Sequence, residues 1–184
     1  MKRQKIQLLI LCALLLVVIV ALFAVRSYNS RQAEEEATKE AAYTVLTLAE
    51  EDVKEFSFSG GSEAISLVKT EEDWKVAEDA TVALDKEAVS SLLGNVLVIQ
   101  ADMQIEGVTD FAQYGFDDPL ATVTLKLQDD SIYEIVFGHY NEMTAQYYLR
   151  IEGNDTVYVL SDNIGYRFHI SLEDLKKVET EATE

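Results

Sequence analysis

The side chains of this sequence whose types could do chemistry are two histidines, one cysteine and three acidic clusters, and their spacing limits what they can do. His139 follows the run "IVFG" and His169 sits between Phe168 and Ile170. Neither has a second histidine at the spacing a zinc site uses. Asp117-Asp118, Asp129-Asp130 and Glu152 to Asp155 could suggest paired-carboxylate catalysis or calcium. Each falls between apolar runs, where Asp and Asn suit a turn, and none repeats the alternating carboxylates of a calcium loop. Calcium at these turns stays an open question. There is no nucleophile elbow, phosphate-binding glycine loop or Cys-x-x-Cys. The reading is therefore of no catalytic residue, no metal ligand and no cofactor. Cys12 follows Leu11, where lipoprotein processing needs a small residue, so it reads as a thiol within an apolar run; as the single cysteine it allows no intrachain disulfide.

Aromatic residues are the other chemically expressive group. Tyr133, Tyr140, Tyr147, Tyr148, Tyr158 and Tyr166 crowd the second half of the chain. On adjacent strands they stabilise a sheet through cross-strand pairs; exposed, they form a recognition patch. Tyr148 and Tyr158 lie off the apolar phases of Leu149 and Val159, which makes them the candidate protein-interaction residues. Trp74 lies on an apolar phase and reads as core. The stretch "DFAQYGFDDPLATVTL" holds the single proline of the chain. In it Tyr114, Gly115, Phe116 and Pro119 read as a structural junction. A short helical turn capped by Thr109 or Asp110 closes at Gly115 in the left-handed conformation. A trans Pro119 then starts a strand, and Tyr114 and Phe116 pack inward against the helix and the second set of strands.

The elements that position these residues follow from periodicity. "VKEFSFS", "AISLVK" and "DWKVAE" alternate with period two, placing Phe56 with Phe58, Ile65 with Leu67, and Trp74 with Val76. In "LDKEAVSSLLGNVLVIQ", Val89, Leu92, Leu93, Val96 and Leu97 make one helix stripe, with Asp85 as N-cap and Gly94 suited to close packing. Alternation resumes with Val123, Leu125 and Leu127, then Tyr133, Ile135 and Phe137, then Tyr147, Leu149 and Ile151, then Val157 and Val159. Asp162 to Lys177 shows short helical patterns. The expected fold is α+β: antiparallel strands with packed helices, a weak strands-then-helix duplication, and one N-terminal transmembrane helix before it.

That last element rests on Leu8 to Val25, 18 apolar residues without charge, Gly or Pro. At about 1.5 Å per residue they span roughly 27 Å, enough for a bilayer's hydrocarbon core. Lys2, Arg3 and Lys5 precede the run, so the positive-inside rule keeps the N-terminus cytoplasmic and exports the rest. The exported part has 12 basic against 33 acidic side chains, a net charge of −21. With −18 overall and no basic patch, nucleic acid is set aside as a partner. The domains expected are 1–26, basic tip and membrane anchor, with the lipid bilayer contacted through 8–25; 27–48, a juxtamembrane helical stalk; 49–178, an extracytoplasmic domain; and 179–184, a tail.

The order "DWKV", "LDKEAVSSLL", "YGFDDPLATVTLKL", "IVFG", "YYLRIEGNDTVYVL" resembles the bacterial domain-of-unknown-function 4340 family over about Val53 to Leu160. Phe116 stands where that family's turn usually has leucine. The resemblance implies a membrane-anchored extracytoplasmic protein, with partners among gliding-type ABC transporters and their auxiliary subunits, and no catalytic residues. The function expected is thus a noncatalytic single-pass membrane protein binding another envelope or transporter protein. The alternative is an envelope enzyme or a ligand-binding module for cell-wall glycan or peptide.

Overall fold

The computed structural model describes residues 43–177 apart from 62 and 72. The expected membrane anchor, most of the expected stalk and the expected tail lie outside these residues. Among the described residues, no helix is long and apolar enough to cross a membrane.

An eight-stranded antiparallel sheet dominates. Its strands are β2 (Val53–Ser59), β3 (Ala64–Lys69), β4 (Trp74–Val76), β6 (Met103–Ile105), β7 (Ala121–Leu127), β8 (Ile132–Asn141), β9 (Gln146–Ile151) and β10 (Val157–Leu160). They run in the order β4-β3-β2-β7-β8-β9-β10-β6. A separate ribbon pairs β1 (Tyr43–Thr47) with β5 (Val98–Ala101). The described residues contain one α-helix, α1 (Lys86–Leu97).

The expected α+β fold with packed helices is therefore corrected to a mainly β fold carrying one helix. The helical spacing after Asp162 is produced by two 3₁₀ turns of four residues, Gly165–Phe168 and Leu172–Leu175. The strands–helix duplication fails with it, since β7 to β10 continue the same sheet as β2 to β4. The end of the expected stalk is also corrected, since Tyr43–Thr47 is strand. The helix ends at Leu97, the last residue of its expected stripe, and β-branched Val98 and Ile99 enter β5.

The main core lies on one face of the sheet. Alternation brings Phe56, Phe58, Ile65, Leu67, Trp74, Val123, Leu125, Ile135, Phe137 and Leu149 to it, all buried. They form one cluster with Val89, Leu93 and Val96 of α1, Ile99 of β5 and Phe168 of the first 3₁₀ turn. Asp85 caps α1, its Oδ1 accepting from the backbone N–H of Glu87 and Ala88. Gly94 has nothing within 4 Å of where a Cβ would stand, so it serves no close contact. Over β2, β3 and β7 the opposite face carries Ser57, Ser66, Thr122 and Thr124, with Lys126 donating to Glu55 at 2.7 Å.

Candidate functional site

The pleat that sends Ile135 and Phe137 into the main core sends Val136 to the other side. There a second, smaller cluster forms from Val108, Phe116, Val136 and Val157, with Ile105, Phe111, Tyr114 and Tyr148 packed on it. It is covered by the irregular chain between β6 and β7. That chain is tied to the sheet where Val108 N–H donates to Asp155 C=O at 2.8 Å. It then makes a three-residue 3₁₀ turn, Ala112–Tyr114.

Gly115 ends this turn in the left-handed region, φ +80°. A Cβ there would stand 2.5 Å from His139 Cγ, and a Cβ on Gly138 would run into Tyr114 C=O. Two glycines thus let the turn lie directly on β8. Both histidines hold the next stretch. His139 Nε2 lies 2.6 Å from Asp118 C=O and His169 Nε2 2.8 Å from Leu120 C=O, so the carbonyls on either side of Pro119 each accept from an imidazole N–H. Pro119 is trans and exposed, two residues before β7, and pairing starts at Leu120, whose N–H donates to Phe137 C=O. Tyr114 and Phe116 face inward, but toward the second cluster and not toward α1. Sequence reasoning gave the histidines no partner; here they are structural clamps.

Arg150 completes this cluster from β9. Its side chain is only 17 % exposed and pairs with Glu152. The guanidinium carbon lies 4.6 Å from the Phe111 ring centroid and 5.5 Å from that of Phe116. Nε is buried with no partner, so the cation is held largely by ring faces and one carboxylate.

The two tyrosines singled out from the sequence do not come together. Antiparallel pairing sets Tyr148 opposite Val159 and Tyr158 opposite Leu149. Tyr148 therefore belongs to the second cluster, 4.9 Å from Tyr114, its hydroxyl accepting from Asn141 Nδ2 at 2.8 Å. Tyr158 packs on the main core through the other face. Both are half-buried.

The exposed aromatic surface is elsewhere. A bulge between Phe137 and Tyr140 shifts the register of β8, so that Tyr140 pairs with Tyr147. Their ring centroids are 4.8 Å apart. Tyr166 of the first 3₁₀ turn stands 6.4 Å from Tyr147, and His169 stands 5.1 Å from Tyr166. Tyr140 is 44 % and Tyr166 49 % exposed. The Tyr147 phenol is pushed above its usual range, first by burial and then by charge repulsion within a cluster that includes Tyr140, Tyr166 and Asp162.

One cavity of about 630 Å³ lies at the other end of the sheet, lined by Glu63, Ile65, Val76, Glu78, Asp79 and Lys176 among others. Among the described residues no group of three His, Cys, Asp or Glu side chains could hold a metal ion.

The family model described as Domain of unknown function (DUF4340) matches residues 74–179, more than half of the chain. The chain belongs to the DUF4340 family. The match begins at Trp74, takes in the Pro119 turn and the Arg150 strand, and runs past β10 through both 3₁₀ turns. No curated protein and no solved structure matches the chain. In this DUF4340 domain the motif residues Tyr114, Gly115, Phe116 and Arg150 form one packed unit on the second face of the sheet.

Proposed function

We propose that this DUF4340 protein is a noncatalytic single-pass membrane protein. Leu8 to Val25 anchors it, and its acidic extracytoplasmic domain binds another envelope protein, an ABC-type transporter component being the partner class the family resemblance suggests. The observation that supports binding is the contiguous surface of Tyr140, Tyr147 and Tyr166. Tyrosine supplies apolar area and a hydroxyl with few rotatable bonds, which suits a protein interface. The anchor is supported by the apolar run and by the cations before it.

Two measurements test the reading. Protease added outside intact cells should digest the chain after Val25; survival until the membrane is broken overturns the topology. A photo-crosslinker replacing Tyr166 in the full chain should join it to one discrete envelope protein, while the same group at exposed Glu87 on α1 should not. Absence of any crosslink at Tyr166 overturns the binding reading. The cavity lined by Glu63, Glu78 and Asp79 favours a second reading, a ligand-binding module or envelope enzyme acting on cell-wall glycan or peptide. A rise in Tm of the full chain on adding soluble cell-wall fragments would favour it over the first.

A further inference from the structure

Within this fold, aromatic rings repeatedly meet cations. Lys69 Nζ lies 5.6 Å from the Trp74 ring centroid, and the Arg150 guanidinium sits by both Phe111 and Phe116. Among the described residues, no cation lies over Tyr140, Tyr147 or Tyr166, although these rings are contiguous and two of them are exposed. Arg167, next to Tyr166 in the chain, is turned to Asn95 and to Asp162 Oδ2. The second oxygen of Asp162 retains its capacity to accept.

The surroundings of these rings favour positive charge. The carboxylate of Asp162 opposes a negative charge on Tyr147, and the same carboxylate, paired through one oxygen with Arg167, attracts a cation through the other. The ring faces carry negative quadrupole potential. The chain beyond Val25 carries −21, so long-range attraction also selects a basic partner and disfavours both an acidic peptide and an anionic lipid surface.

Resting on the protein-binding reading, we infer that the tyrosine patch takes an arginine- or lysine-bearing segment of the partner, its cation seated on the exposed faces of Tyr140 and Tyr166 beside Asp162. Arginine fits better, because its planar guanidinium stacks on a ring while still donating to a carboxylate.

The test uses the full chain in nanodiscs of zwitterionic lipid and a fluorescent peptide alternating arginine with glycine. A citrulline version keeps the shape and removes the charge. The arginine peptide should bind and the citrulline peptide should not. Replacing Tyr140→Leu together with Tyr166→Leu should weaken binding about 5–10-fold, as the loss of two exposed cation–ring contacts implies. Tyr→Phe at both positions should keep it, since the ring faces remain, and guards against a folding artefact in the leucine variant. Asp162→Asn should weaken it by a smaller factor. Equal binding by the leucine variant, or by the citrulline peptide, overturns the inference and leaves only general charge attraction. The Tyr166 crosslink separates the two levels. No crosslinked envelope protein means that the binding reading has failed. A crosslink mapped to a partner segment without Arg or Lys means that the binding reading stands and this inference does not.

Discussion

The two faces of the sheet are built by different means. On the main-core face, buried side chains arrive by strict alternation from β2, β3, β7 and β8 and are met by a helix whose apolar stripe matches them. On the other face, over β8 to β10, four buried residues are covered by a chain with one short 3₁₀ turn, pinned by Arg150, two glycines and two imidazoles. The first depends on apolar area and should lose stability in proportion to volume removed. The second depends on a few irreplaceable geometries and should be insensitive to volume but not to shape.

The sharpest way to break that contrast is on the main-core side. Phe168 is fully buried, with its ring 6.4, 5.7 and 5.9 Å from those of Phe56, Phe58 and Phe137. Phe168→Ala should cost about 3–5 kcal/mol, read from denaturant unfolding of the full chain. On the other face, Gly115→Val should cost about 2–5 kcal/mol, because a β-branched residue meets both the positive φ and the wall of His139. If the two costs reverse by a wide margin, the second face governs the fold and the comparison is upside down.

Arg150→Met keeps most of the stem and removes the cation. It should cost about 1–2 kcal/mol, and Arg150→Lys should not fully restore the loss, since an ammonium cannot lie flat between two rings. Equal stability of Met and wild type would mean that Phe111 and Phe116 hold the segment alone. In the opposite direction, Gly94→Ala in α1 should stabilise by roughly 0.5–1 kcal/mol, because the helix gains propensity and nothing obstructs the new methyl.

The smallest effect is titratable. Asp174 closes a capping box with Ser171 on the second 3₁₀ turn, and its carboxyl is held below the ordinary 3.8, first by the Ser171 hydroxyl and then by the Ser171 N–H. Its contribution is fully present above that ordinary value and disappears as pH falls through the lower folded one. Hydrogen-exchange protection around Leu175, corrected for the intrinsic exchange rate at each pH, should fall as the pH is taken from neutral through and below the lowered folded value, and Ser171→Ala should reduce that fall.

How much of this was legible follows from element length. Phe56, Ile65, Trp74 and Val123 could be placed because their strands, or pairs of strands, are long enough to show a period, and Val89 to Val96 because α1 runs three turns. β5 and β6, four and three residues long, are not distinguished from the chain that follows the helix, and the two final 3₁₀ turns, four residues each, read as short helices. The tyrosines misled for a different reason. The bulge after Phe137 inverts the phase of Tyr140, and cross-strand pairing throws Tyr148 and Tyr158 to opposite faces. The burial of Arg150 had no local sign. Its only signal was the tyrosine–hydrophobic–arginine order that carried the family resemblance.

One consequence of the strand order concerns how the chain folds as it is made. The early and late strands of the sheet meet at the seam between β2 and β7, its third and fourth strands, in which Val53 faces Leu127 and Ser59 faces Thr122. β2, β3 and β4 are complete long before β7 exists, so β2 must wait with one edge open while the intervening helix, ribbon strand and junction are synthesised. At roughly 5–20 residues per second that wait lasts several seconds, during which Phe56 and Phe58 have only hairpin partners. The newly made N-terminal half should therefore be bound by a holding chaperone if one is present, and that binding should end once the Pro119 turn has delivered β7 to its seam.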